Sequence, residues 1–398
     1  MNMETPKGNS MDDMQNGYRK RGVDYRSPTT LRTLPREYYQ SEAIYAEELE
    51  KIFYKRWLFV CREEEIPEPG DFQTVAIGDE SLIVVRDAQN KIQAHFNVCR
   101  HRGTRICNTE KGQFSSGVIQ CPYHAWKYDL SGGLKAAPLL NDVADFEKTD
   151  YALFSAHVGI WGGFVFINLA EAPVPFEEEM GALMNRFEDW HLPDLRIAHK
   201  LEYKLNCNWK IILQNYQECY HCPGVHPMLS KRTPFRGAVH DCFEGAVIGG
   251  YMEMTQKRGS MTMDGKAAAP PVGKVSGEDL QRVHYYSVFP NLLLTPHPDF
   301  VMYHRIRPVA LDRIENDCFF LVHPDVIAAP KLMERFQSAV SFWDLTNRED
   351  WQVCEQMQLG LKSHRFKRGR YSPFEDIAYA VDQEVLKALG HKPPEMEG

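Results

Sequence analysis

At 398 residues the chain exceeds what one hydrophobic core usually serves, so two domains are expected. Hydrophobic content of 43% and charged content of 25% are ordinary for a soluble globular protein. The formal net charge of −8 argues against nucleic acid or an anionic membrane as the main partner. No apolar run approaches bilayer length, and the polar N-terminus lacks the apolar core of a signal peptide, so a cytoplasmic protein is expected. Ten cysteines suit that compartment as thiols or ligands rather than disulfides, most of them as small buried hydrophobes.

Residues 1–35 are polar and irregular and read as a flexible N-terminus. A helix is expected from Ser41, a candidate N-cap, with Ile44, Leu49, Ile52 and Phe53 on its apolar face; residues 36–56 form this N-terminal element. Beyond Trp57 the period changes to that of strands. Residues 81–86 (Ser-Leu-Ile-Val-Val-Arg) read as a buried strand and residues 87–90 as a turn. Ile92, Ala94, Phe96 and Val98 alternate with polar residues. Short strands follow at 117–121 and 126–130 with a hairpin turn at 131–133, and 159–169 closes an all-β region. Residues 171–175 read as a linker, 176–190 as a helix, and the alternation of Leu201, Tyr203 and Leu205 as a strand. Residues 249–275 lack periodicity and suggest a loop or lid. Strands are expected across 285–306 and 318–322, then two helices at 331–344 and 347–361, which makes the second domain α+β.

The second domain contains the stretch Asn215-Tyr-Gln-Glu-Cys-Tyr-His-Cys-Pro-Gly-Val-His226. On a helix Glu218 and His221, three apart, share a face; Pro223 and Gly224 then break that helix, freeing His226 to fold back. Zinc-protease histidines stand at i and i+4 on an unbroken helix, and these do not. Two imidazoles with a carboxylate suit a facial site for non-haem Fe(II), against the plainer reading of a packed helix end with incidental histidines.

Two further pairs, Cys99-Arg-His101 and Cys121-Pro-Tyr-His124, are separated by residues 102–120. Zinc is chemically acceptable to two thiolates and two imidazoles, but its common signature groups cysteines before histidines. Alternation within each pair suits a [2Fe–2S] cluster with two cysteines on one iron and two histidines on the other.

Cys99-Arg-His101-Arg-Gly103 with Cys121-Pro-Tyr-His124-Ala-Trp126 resembles the motif of Rieske non-haem iron oxygenases, and residues 215–226 resemble the mononuclear iron motif of the same family. The resemblance covers roughly residues 40–365. It implies a large (α) oxygenase subunit with an all-β Rieske domain at 57–170 and an α+β helix-grip catalytic domain at 171–398, the element at 36–56 packing on the latter. It implies that Cys99, His101, Cys121 and His124 hold the cluster and that His221 and His226 hold mononuclear iron. The family's third iron ligand is an Asp shortly before a Glu on a late helix. Asn347-Arg-Glu-Asp350-Trp-Gln-Val-Cys-Glu355 fits this with Asp350, Glu349 being the rival and a first-turn carboxylate behind an Asn347 N-cap the plainer reading. Ala125 stands where the family commonly has Gly.

In most of the family an Asp bridges a cluster histidine of one subunit to an iron histidine of its neighbour; here that position is Glu218. Glutamate resembles the branch acting on quaternary ammonium compounds such as carnitine, glycine betaine and stachydrine-like betaines. The resemblance further implies a homotrimer that takes O2 and a small-molecule substrate. No G-x-G-x-x-G follows a strand and no flavin segment is recognisable, so electrons must come from a separate NAD(P)H-dependent reductase. The expected reaction is hydroxylation next to a quaternary nitrogen, giving N-demethylation or C–N cleavage. Hydroxylation or O-demethylation of an aromatic acid is the alternative. An electron-carrying Rieske protein with a degenerate second domain, or a zinc-stabilised binding protein, are the readings from other classes.

Overall fold

The computed structural model describes residues 31–140 and 142–394. The chain divides into two compact units: Leu49–Phe176 forms one, and the chain up to Glu48 together with Glu177 onward forms the other. The segment expected to be flexible lies outside the described residues up to position 30. Leu31 and Leu34 beyond it are buried, Leu31 against Tyr371 and Ala378.

The unit Leu49–Phe176 is all-β. Its strands are β1 (Leu58–Arg62), β2 (Asp71–Ile77), β3 (Glu80–Arg86), β4 (Ile92–Phe96), β5 (Lys111–Gln113), β6 (Val118–Gln120), β7 (Lys127–Asp129), β8 (Leu134–Ala136), β9 (Ser155–Trp161) and β10 (Phe164–Asn168). Seven make an antiparallel sheet in the order β1-β10-β9-β4-β3-β2-β5, and β6-β7-β8 form a small second sheet. The stretch 159–169 is a tight hairpin, because Gly162 and Gly163 both take positive φ between β9 and β10. Phe72, Ile83, Val85, Ile119, Trp126 and Tyr128 form the core between the sheets, with Cys99 and Cys121 in it.

The other unit is α+β. Its antiparallel sheet runs β11 (Arg196–Leu205), β17 (Arg313–Val322), β16 (Val301–Ala310), β15 (Leu292–Pro296), β14 (Arg282–Val288), β13 (Val247–Glu253), β12 (Val239–Cys242). Two helices pack on it. The first, Trp209–Tyr216, starts at Asn208, whose side chain caps Lys210 N and donates to Leu311 O. It buries Trp209, Ile211, Ile212 and Leu213, each contributing on the order of 1.5–3 kcal/mol. Its Lys210 is fully buried and pairs with the equally buried Glu48, which also accepts from Trp209 Nε1 at 2.7 Å. Removing either charge alone would strand the other. Glu48 ends the N-terminal helix Glu42–Glu48, whose start is capped by Ser41 Oγ; residues 49–56 of the expected N-terminal element belong to the all-β unit.

The second helix, Pro330–Gly360, is continuous where two were expected. Phe336, Ala339, Val340, Trp343, Thr346, Asn347, Trp351, Cys354 and Gln358 recur every three or four residues and bury one stripe. Asn347 is therefore a buried helix-interior residue, not an N-cap. Three other expectations change. Residues 176–190 form two single turns and a 3-10 turn, residues 249–253 are strand β13, and a helix, Asp376–Leu389, follows the last expected one. Among the described residues no helix is long and apolar enough to cross a membrane.

Candidate metal centres

The first centre sits on two loops of the all-β unit. Cys99 follows β4 and Gly103 takes φ +74° to close the first loop; Cys121 follows β6, and Ala125 takes φ +55° to close the second. That left-handed backbone explains why glycine suits position 125: a Cβ there opposes the conformation. Both cysteines are buried, Cys99 Sγ lying 3.3 Å from the Tyr128 hydroxyl. Burial, followed by the neighbouring Cys99, holds the Cys121 thiol above its ordinary pKa. The two imidazole rings are 4.6 Å apart, and His101 stacks on buried Trp126 at 4.9 Å and 8°. Burial, then His124 and Arg102, lowers the His101 pKa and favours the neutral imidazole. Two thiols and two imidazoles converging from two short loops are the donor set that a Rieske cluster requires.

The second centre lies where the helix Trp209–Tyr216 ends. Contrary to expectation, Glu218 and His221 are not on that helix. They occupy the turn after it, and His221 is the N-cap of a short turn of helix, Cys222–Val225. Pro223 and Gly224 sit inside that turn, since proline at a first helical turn gives up no needed N–H. The turn also overturns the expectation that every cysteine is a thiol or ligand: Cys219 and Cys222, Cα atoms 4.9 Å apart, form a disulfide, and the remaining eight are free and buried.

His226 Nε2 lies 3.2 Å from His221 Nε2 and 2.8 Å from Asp350 Oδ1, while His221 Nε2 is 3.2 Å from the same oxygen. One ligand atom from each of these three residues falls within 4.8 Å of the others. The far nitrogens are held by carboxylates: His221 Nδ1 bonds Glu218 Oε1 at 2.6 Å, and His226 Nδ1 bonds Glu349 Oε2 at 2.7 Å. Glu349, the rival ligand, thus orients His226 from behind. Such outer carboxylates fix which nitrogen faces a metal. Glu218 Oε2 also accepts from the N–H groups of Tyr220 (2.6 Å) and His221 (3.2 Å).

The electrostatics match a metal seat. Burial alone would depress the His221 pKa, but Asp350 and Glu218 outweigh it and raise it to about 10. Burial likewise pushes Asp350 up, yet His221 and His226 hold it down at about 2. Two imidazoles, each backed by a hydrogen bond, and one carboxylate on one face fit mononuclear iron.

Around the three runs a cavity of about 70 Å³. Its wall includes Tyr216, Tyr251, Tyr285, Trp343, Trp351 and His304. Trp343, Thr346, Asn347 and Asp350 face it at helical spacing, which the continuous helix explains; splitting that helix in sequence hid the pattern. His304 is buried with Nδ1 3.2 Å from Asn316 Oδ1, and burial lowers its pKa to about 4, so it is neutral. No motif marked it.

A model of the Rieske [2Fe-2S] domain matches residues 56–147, and a model of the ring hydroxylating alpha subunit catalytic domain matches residues 192–391. The chain belongs to the Rieske non-haem iron oxygenases. It is 30% identical over 376 residues to the glycine betaine monooxygenase oxygenase subunit of Pseudomonas aeruginosa, covering 85% of each chain. To the carnitine monooxygenase oxygenase subunit of Acinetobacter baumannii it is 26% identical over 346 residues, covering 86% of this chain and 88% of that one. A solved quaternary ammonium Rieske monooxygenase superposes with a TM-score of 0.77 at 24% identity, over 92% of this chain and 98% of the other, and shares the fold. Enzymes of this family carry a Rieske cluster and mononuclear iron, receive NAD(P)H electrons through a separate reductase and act on small molecules.

Proposed function

We propose that this Rieske oxygenase hydroxylates a carbon attached to a quaternary nitrogen in a betaine- or carnitine-like substrate. The observation that carries the reading is the cavity wall. It is rich in tyrosine and tryptophan and has no Lys or Arg among its described lining residues to repel a cation. Such a wall favours an alkylated cation, each ring contact contributing roughly 0.5–2 kcal/mol. The names of the relatives agree.

In this reading Cys99, His101, Cys121 and His124 hold the cluster, and His221, His226 and Asp350 hold the iron. When bound, these groups supply single electrons and the activation of O2. Glu218 accepts the His221 Nδ1 proton in a hydrogen bond and bridges to a cluster histidine of a neighbouring subunit in a homotrimer. Glu349 holds the His226 ring, and the aromatic wall keeps the substrate nitrogen against the reacting face. One O2, two electrons and two protons convert C–H to C–OH and water. The carbinolamine then collapses to an aldehyde and a less substituted amine.

The test is substrate-dependent oxygen uptake with a reductase across glycine betaine, carnitine and aromatic acids. The expected result is uptake with aldehyde and amine release from a quaternary compound. Phenol or catechol from an aromatic acid, with betaines inert, would overturn the reading.

A further inference from the structure

The disulfide lies inside the iron-binding turn. Cys219 follows Glu218 directly, Cys222 follows His221 directly, and the bond closes a loop around the metal-facing histidine. Its two sulfurs differ in surroundings: Cys222 is 2% exposed, whereas Cys219 is half-buried. Cys222 Sγ stands 4.0 Å from His221 Nε2, the nitrogen that points toward His226 and Asp350.

On either side the turn is anchored. Gln217 is held by Ser287 Oγ at 2.6 Å and by Ile248 O at 3.2 Å, and His226 is buried against Asp350 and Glu349. Between these anchors His221 is fixed by Glu218, itself bonded to the same turn, and by the disulfide. The bond is therefore the one covalent restraint on the His221 turn. In a thiol-reducing compartment such a bond is exchangeable and is characteristic of redox sensing.

We propose that Cys219–Cys222 is a reversible redox clamp on the iron seat: closed, it holds His221 in place and retains iron; opened, it lets the turn relax and iron escape. Opening requires a dithiol. One thiolate attacks Cys219 Sγ and releases Cys222 as a thiol; the second dithiol sulfur then displaces Cys219, leaving two protein thiols and a cyclic disulfide. Closing requires a hydroperoxide. With hydrogen peroxide, which arises when two electrons and two protons reach O2 without substrate, one sulfur cleaves the O–O bond to give a sulfenic acid and water. The other sulfur displaces a second water to form the S–S bond. Peroxide from unproductive turnover would in this way close the clamp. The proposal rests on the iron oxygenase assignment and not on the substrate.

The test uses iron-loaded full-length protein under anaerobic conditions, with cluster absorption monitored throughout. Free thiols are alkylated and the 219–222 peptide is weighed before and after a phosphine reductant, then after equimolar hydrogen peroxide that is removed before ferrous iron is reloaded, while mononuclear iron loss to a ferrous chelator is timed in each state. The expected result is a linked peptide that opens and closes in step with the treatments. Iron loss should be about tenfold faster when it is open, the scale set by closing a short loop. In Cys219→Ser the loss should be fast and indifferent to reductant, which separates the clamp from any direct effect of the phosphine. Full alkylation of both cysteines in every state, or cycling of the linkage with an unchanged rate of iron loss, would overturn the proposal. No substrate enters the experiment, so failure of the betaine reading leaves its outcome intact.

Discussion

The proposed cluster donors all lie between Cys99 and His124, on two loops of a small all-β unit, whereas the proposed iron donors run from His221 to Asp350, on a turn and a 31-residue helix. The first set is local, partly exposed and already close to its working protonation state, since His101 favours the neutral form. The second set is assembled by tertiary packing, lies deep in the unit, and holds a proton where a metal would sit, since His221 is raised to about 10. One centre is thus written into short sequence motifs and the other into the packing of a helix on a sheet. The two should respond differently to the same perturbations.

The largest separation is expected from Asp350→Ala. It removes the only carboxylate among the three convergent donors, so mononuclear iron occupancy should fall below about a tenth of the parent value while the cluster spectrum is unchanged. Loss of both centres together would show that they are not independent. Glu218→Gln should keep both metals yet slow coupled turnover by about 10–100-fold, the usual range for an outer residue backing a ligand. Parent-rate turnover would remove the bridging role.

Protons should separate the centres next. Metal-free His221 is raised above its unfolded value near 6.5, so the stabilisation from its bonds to Asp350 and Glu218 is full below that pH and lost as pH rises through about 10. Iron must displace that proton. Its apparent affinity should therefore fall by about tenfold for each pH unit below about 10 per proton displaced, with metal titration as the check. Cluster content over the same range should stay flat. The smallest effect is expected at the cluster loop. Ala125→Gly relieves a left-handed backbone and should raise stability by about 1 kcal/mol or less, read as a shift in thermal unfolding with the cluster spectrum preserved.

How much of this was legible in the sequence follows the same division. The Cys-x-His and Cys-x-x-His pairs carry their own geometry because the loops holding them are short, and the β3 and β4 strands could be read from alternation alone. Asp350 needed family resemblance, because nothing local distinguishes it from Glu349. Only packing turns Glu349 toward His226 Nδ1 and leaves Asp350 facing both Nε2 atoms. The break expected between 344 and 347 is absent, and Asn347, which could have capped a new helix, lies inside a continuous one. Its burial in a continuous stripe is a tertiary fact, and with it went the alignment of Trp343, Thr346 and Asp350 on one cavity wall. Pro223 does not break a helix, because it stands at a first turn, where its missing N–H is not needed. The disulfide escaped because spacing alone does not bring two sulfurs together; the tight turn between two helical segments does.

The most direct measurement is iron and acid-labile sulfide per chain in the purified protein, with zinc counted alongside. Two irons and two sulfides for the cluster plus one iron at His221, His226 and Asp350 make a ratio of three to two, which should become two to two in Asp350→Ala. A ratio of two to two in the parent protein, or zinc in place of iron, would contradict the account.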